Sequence, residues 1–281
     1  LYLGINKTNK VNYKIPSFVK LDPTSIKNIT IDRPINSIEL YLDNGVWRLK
    51  PDDLRADLSK ITKMISFMTS SPFIDMVSDT GNFQNYGLET GKYTTVGIRA
   101  KIDGTNTPIR EFYIGNLNTS GSFTFIRSPK TNSVYTVSGN IKDMFEISKN
   151  ELLDRQILNL TVDEVDKIEL SSLDNTYTIE KTIGDESKDI WKTTDGIELN
   201  TNSIEQSLRY LSGSIFDSYF DSEYNNKNSS IFSLTLFQDT VIHSFSIIDD
   251  GTGIYKGRSS YAGKDFLLSE NTKTQLIIMF N

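Results

Sequence analysis

Ile38-Glu-Leu-Tyr-Leu-Asp-Asn-Gly-Val-Trp-Arg-Leu49 decides how this chain is read. Ile38, Leu40 and Leu42 alternate with other residues, Asp43-Asn44-Gly45 is a two-residue hairpin signal, and Val46 to Leu49 returns as the partner strand. The pattern comes back later: Tyr177 and Ile179 stand where Ile38 and Leu40 did, and Trp191, the only tryptophan besides Trp47, takes the same place after them. Outward from this block, Ile29 is echoed by Ile168. Each Trp is followed by a polar stretch and then by helical spacing. In the first half this is Leu58, Ile61, Ile65 and Met68 behind the N-cap Asp57; in the second it is Ile204, Leu208 and Leu211 behind Asn200 or Thr201. Further on, Ile109-Arg-Glu-Phe112 matches Ile242-His-Ser-Phe245, Arg127 matches Arg258, and Ser133 to Ser138 matches Lys264 to Ser269. A segment from Ile26 to Phe145 is thus echoed by one from Val165 to Phe280, and a repeat that long predicts a duplicated domain rather than a solenoid unit.

The alternating segments far outnumber the helical ones and are joined by hairpin-length turns. The expected fold class is α+β: two tandem, structurally similar domains, each an antiparallel β-sheet or meander with one main helix and a short terminal helix. Ser138 is expected to cap the short helix ending at Phe145, and Ser269 a terminal helix whose Leu276, Ile277 and Phe280 need a docking surface. The expected divisions are a lead-in over residues 1–25, a first α+β repeat over 26–150 and a second over 151–281. The connector from Ser148 to Thr161 carries Leu152, Leu153, Ile157, Leu158 and Leu160, so it is expected to pack and to hold the two domains fixed.

Composition narrows the function classes. The 36 acidic and 30 basic residues are interspersed without a basic stripe, which argues against a nucleic-acid partner. There is no cysteine, so disulfides, thiolate metal sites and cysteine nucleophiles are excluded. No run reaches the roughly 18 apolar residues of a membrane span. The opening Leu1-Tyr-Leu-Gly-Ile5, before the polar Asn6 to Lys10, is expected to be what remains after a signal sequence or N-terminal anchor, a disordered or edge-strand terminus being the alternative.

Catalytic patterns are scarce. His243 is the only histidine and lies in a strand, which predicts a surface or half-buried residue rather than a general base. No nucleophile elbow, phosphate-binding loop, zinc helix or dinucleotide fingerprint occurs. Asp249-Asp-Gly-Thr-Gly253 joins two strands and lacks the remaining ligands of a calcium loop, so it reads as a hairpin turn. Asp52, Asp53 and Asp57 invite comparison with the carboxylate pairs of glycosidases, but a solvated loop and an N-cap account for them with less assumption. Trp47 and Trp191, at one strand position in both halves, read as core anchors rather than sugar-stacking platforms. Arg127 and Arg258, late in matching strands, read most simply as solubilising charges on edge strands. A duplicated Arg that binds an anion or an acidic partner is the functional alternative.

In order, Ile38-Glu-Leu-Tyr41, Gly45-Val-Trp-Arg-Leu49, Arg55-Ala-Asp57, Tyr86-Gly-Leu88, Phe112-Tyr-Ile-Gly115, Val134-Tyr-Thr-Val137 and Leu153-Asp-Arg155 run through the chain. That order resembles the bacterial domain of unknown function 4340 family, which likewise restarts with a second strand-and-Trp block. The chain departs from the family pattern at Thr90-Gly91, where a Pro is usual, and at Tyr224, which no Gly-Leu follows. The resemblance implies an extracytoplasmic protein tethered at its N-terminus, associated with ABC transporters and similar to gliding-motility accessory subunits, with no catalytic residues and no cofactor. The expected function is a noncatalytic accessory or scaffold that binds an envelope or ABC-transporter partner, with Arg127, Arg258, Tyr86 and Tyr224 as candidate interaction residues. The alternatives are a glycan- or lipid-binding module using the seam between the repeats, and a carboxylate hydrolase built on Asp52, Asp53 and Asp57.

Overall fold

A computed structural model describes residues 19–70, 72–100, 107–129, 131–172, 175–184, 188–220, 230–249 and 251–280, with the backbone alone for 95–100. The apolar stub at the N-terminus and Tyr224 lie outside the described residues. The chain divides into two compact units, the first ending at Leu153 and the second beginning at Asp154.

Unit 1 runs β1 (Ile26–Asp32), β2 (Ser37–Asp43), β3 (Val46–Leu49), β4 (Leu54–Arg55), α1 (Leu58–Thr69), β5 (Asp75–Ser78), β6 (Thr94–Ala100), β7 (Arg110–Leu117), β8 (Phe123–Arg127), β9 (Val134–Ser138), α2 (Lys142–Phe145) and α3 (Lys149–Leu152). Among the described residues its strands make one nine-stranded sheet, ordered β4-β3-β2-β1-β6-β7-β8-β9-β5, and every pairing in it is antiparallel. The hairpin between β2 and β3 turns through Asn44 and Gly45 at φ 47° and 82°, the doubly left-handed turn whose twist matches that of its flanking strands.

Helix α1 lies against one face of this sheet. Asp57 caps it by accepting from the Ser59 and Lys60 amides, and Ile61, Met64, Ile65 and Met68 form its buried stripe. Leu58, counted by spacing as part of that stripe, is 64% exposed, because it occupies the first helical position and points away from the sheet. The far end of α1 is closed by Arg110 of β7. This buried guanidinium donates to the Met68 carbonyl at 2.6 Å and the Ser70 carbonyl at 3.2 Å, satisfying groups that the helix itself leaves open. Ser138 does not cap α2, since it is the last residue of β9. Ile141 is the N-cap residue and α2 has no side-chain cap; the Thr124 hydroxyl accepts from the Ile141 amide at 3.1 Å while donating to the Gly139 carbonyl.

Unit 2 runs β10 (Val165–Ser172), β11 (Asn175–Ile183), β12 (Asp189–Thr193), β13 (Glu198–Leu199), α4 (Thr201–Gly213), β14 (Ser218–Tyr219), β15 (Ser230–Gln238), β16 (Val241–Asp249), β17 (Tyr255–Ser259), β18 (Phe266–Leu268) and α5 (Glu270–Phe280). Its sheet is ordered β13-β12-β11-β10-β15-β16-β17-β18-β14. Asn200 caps α4 by accepting from Ser203, and the Ser269 hydroxyl accepts from the Thr272 amide at the start of α5. With 11 residues, α5 is nearly as long as the 13-residue α4 rather than short; Leu276 is wholly buried and Phe280 meets Phe232 at 6.2 Å between ring centroids. Trp47 and Trp191 are both buried, as expected of core anchors.

The connector belongs to a unit on each side of the boundary. Ser148 and Glu151 form a capping box on α3, the Leu152 carbonyl accepts from the Asp57 amide at 2.8 Å, and Leu153 bridges to Ala56. Beyond the boundary, Gln156 bridges to Ile215, and Ile157, Leu158 and Leu160 are buried.

The Asp57 carboxyl sits below its ordinary pKa: burial opposes the shift, but hydrogen bonds from Lys60 and Ser59 outweigh it. A carboxylate favoured in this way in the folded state stabilises above the unfolded value of about 3.9, and the contribution fades as pH falls through the lowered folded value. Asp57→Ala is therefore expected to cost about 1 kcal/mol in urea melts at pH 7. The difference from the parent protein should shrink in melts below about pH 3.9, toward the lowered folded value.

Candidate functional site

On the face of the unit 1 sheet opposite α1, alternation turns Tyr113 of β7 and Phe125 and Arg127 of β8 outward, while Phe112, Ile114 and Ile126 are wholly buried on the other side. Tyr113 and Arg127 face each other directly across the β7–β8 ladder. The Arg127 guanidinium carbon lies 4.3 Å from the centroid of the Tyr113 ring, 4.2 Å from that of Phe83 and 5.6 Å from that of Tyr93. Tyr93 packs on Tyr113 at 4.5 Å, and Tyr86 meets Phe125 edge-on at 4.9 Å. All six side chains are half-buried. The Tyr113, Phe83 and Tyr93 rings offer their electron-rich faces to the cation, a contact worth about 0.5–1 kcal/mol at an exposed site.

Arg127 has no hydrogen-bonding or ion-pair partner among the described residues, and its Nε is shut off from solvent. The rings leave a planar cation, and the two Nη groups at its edge can donate to a carboxylate in two-point fashion. Burial, followed by the nearby Glu111 carboxylate, pushes the Tyr113 phenol above its usual pKa, so it stays a neutral hydroxyl beside the cation.

Phe83 and Tyr86 reach this face on a single 3-10 turn, Phe83–Tyr86, and Gly115 of β7 lets that turn approach. A Cβ at Gly115 would stand 2.2 Å from the Tyr86 carbonyl oxygen and 2.8 Å from Leu88, which is wholly buried. Tyr86-Gly-Leu88 and Phe112-Tyr-Ile-Gly115 are therefore two halves of one contact. Leu153-Asp-Arg155 is likewise structural: Leu153 closes unit 1, whereas in unit 2 the Asp154 carboxylate accepts from the Tyr261 hydroxyl and Arg155 donates to the Asp217 carbonyl.

The remaining candidates fall elsewhere. Arg258 holds the place in β17 that Arg127 holds in β8, opposite Ser246 of β16 as Arg127 is opposite Tyr113. Neither strand is an edge, since β8 lies between β7 and β9 and β17 between β16 and β18, so the edge-charge reading of both arginines is incorrect. Arg258 grips Asp265 with both prongs of its guanidinium, Nε to Oδ1 at 2.7 Å and Nη2 to Oδ2 at 2.8 Å. The residue preceding the first buried aromatic is Asp265 in β18's segment and Val134 in β9, so unit 1 has no acid there to quench its arginine.

Asp52 pairs with Lys149, Asp53 accepts from the Tyr41 hydroxyl, and Asp57 caps α1 and pairs with Lys60 at 3.0 Å. Each carboxylate has its own structural partner. Asp249 accepts from the Gly251 amide at 2.8 Å in the turn that joins the antiparallel pair β16 and β17; Asp250 lies outside the described residues. His243 is half-buried opposite Leu236; burial lowers its pKa, which keeps the ring neutral at pH 7. Among the described residues no three His, Cys, Asp or Glu side chains gather as metal ligands, and no helix is long and apolar enough to cross a membrane.

The two-unit α+β fold and its interlocking Tyr-Gly-Leu and Tyr-Ile-Gly segments define the class of protein. The chain belongs to the domain of unknown function family DUF4340, whose profile matches residues 47–229, from the Trp47 strand of unit 1 into unit 2. No curated protein and no solved structure matches it.

Because backbone oxygen, not a movable side-chain end, stands against Gly115, Gly115→Ala is expected to destabilise the protein by about 1–3 kcal/mol. Denaturant melts measure this. Gly121→Ala, at an open turn position with positive φ and nothing within 4 Å, provides the comparison for backbone strain without a clash.

Proposed function

We propose that this protein is a noncatalytic scaffold built from two copies of one α+β design, and that unit 1 presents Arg127 to an acidic segment of an envelope protein. The observation that carries this reading is the contrast between the two arginines. Arg127 is stacked by aromatic rings and has no acceptor among the described residues, whereas Arg258 is neutralised by Asp265. Tyr86 extends the same face through Phe125, giving an acidic peptide both a charge to pair with and rings to cover. Duplication is supported by the identical strand order of the two sheets and by the matching positions of Trp47 with Trp191 and of Asp57 with Asn200.

An extracytoplasmic location, an N-terminal tether and an ABC-transporter component as the partner are what the family resemblance adds to this reading. The test is affinity capture from membranes of the native host, with the protein carrying either Arg127→Ala or Arg258→Ala. Transporter subunits should be recovered with the parent protein and with Arg258→Ala, and be depleted at least tenfold with Arg127→Ala. Recovery of no transporter component, or equal recovery with both variants, would sink the proposal.

A further inference from the structure

Unit 2 contains a cavity that its helix position explains. Counting seven residues on from each N-cap gives Met64 in α1, wholly buried, and Ser207 in α4. Met64 fills the space between helix and sheet in unit 1. The shorter Ser207 hydroxyl turns back to its own helix, donating to the Ser203 carbonyl at 3.0 Å, and lies 2.9 Å from the Met279 carbonyl of α5. What remains is a cleft of about 250 Å³ between α4, the sheet and the end of α5.

Ile168 and Leu170 of β10 and Ile179 of β11 form the floor of the cleft, with Leu199 and Ile204 as its walls. Ile179 and Ile204 are half-exposed through it, although the residues at the same places in unit 1, Leu40 and Ile61, are wholly buried. Among the described residues no charged side chain lines the cleft, and its polar groups, Asn200, Ser203 and Ser207, all lie along α4. A sugar or an ion placed there would lose hydration against apolar walls with few partners in return. A slender apolar chain has no hydrogen-bonded hydration to give up and would cover apolar surface at the place that Met64 occupies in unit 1. The volume is just under the range of about 300–1,000 Å³ usual for drug-sized ligands, which suits a short chain.

We propose that this cleft is a binding site for a single unbranched alkyl chain bearing an uncharged polar head, with the head at Asn200 and Ser203 and the tail over Ile168 and Ile179. The proposal is independent of the Arg127 reading, since it concerns another unit and another ligand chemistry.

The probes are 1-hexanol, 1-heptanol and 1-octanol, titrated into the whole protein while the methyl resonances of Ile179 and Ile204 are followed. Saturable binding at one site is expected, tightening roughly fourfold per added methylene, as burial of a CH₂ predicts. Ser207→Met, which restores the unit 1 arrangement, and Ile204→Trp, which narrows the cleft from its wall, should each weaken 1-octanol binding at least tenfold. Thermal melts identify which variants are folded, so one filled variant suffices if the other misfolds. The proposal is overturned if the parent protein shows no saturable binding, if affinity is indifferent to chain length, or if a folded, filled variant binds as the parent does. It is equally overturned if light scattering shows a dimer that covers Ile179 and persists in saturating 1-octanol.

Discussion

Each sheet depends on one long-range pairing. In unit 1 the strands before α1 form one meander and those from β6 to β9 another, and only β1 against β6 joins them, with Ile29 opposite Ile98 and Ile31 opposite Val96. In unit 2 the same work falls to β10 against β15, where Ile168 faces Leu236 and Leu170 faces Leu234. Such a pairing must close a long loop before it returns any contact, so it is the slow and cooperative element of the fold. Once it has formed, the helix between the meanders has a continuous surface to cover, and capping by Asp57 or Asn200 sets where that helix begins. Arg110 depends on the same event, because its strand reaches the end of α1 only after β6 has brought β7 alongside.

The parts of this architecture that are local were legible in the sequence. Asn44-Gly45 announces its hairpin because few other pairs tolerate two left-handed residues, and Asp57 announces its helix because the cap is a short-range hydrogen bond. Trp47 and Trp191 declare themselves as core by position alone. The parts that depend on register were not legible. Arg110 reads as a strand residue paired by alignment with His243, and nothing nearby in sequence says that a carbonyl of α1 awaits it. The Arg127 cluster is assembled from Phe83, Tyr93 and Tyr113, three separate segments whose meeting depends on the irregular β7–β8 register and on the space above Gly115. Outward alternation in β7 and β8 was the available signal, since Tyr113, Phe125 and Arg127 all occupy the polar phase of their strands.

The two arginines show how one scaffold position acquires different chemistry. The β8 and β17 backbones deliver a guanidinium to the same place in their sheets, and neighbours decide its fate: aromatic rings and Val134 in one unit, Asp265 in the other. The Met64 and Ser207 pair follows the same logic inside the core, where a short side chain in α4 borders a cleft and a long one in α1 is wholly buried.

Two sheets with the same strand order in one chain invite a particular error, in which a strand of one copy enters the sheet of the other during folding. The outermost strands bear on that risk. β4, β13 and β14 are two residues long, and β5 is four. A border so brief exposes little unpaired backbone and gives a stray strand almost no template to extend. Short borders thus leave a chain that carries the same sheet order twice little edge at which a strand of one unit could join the sheet of the other.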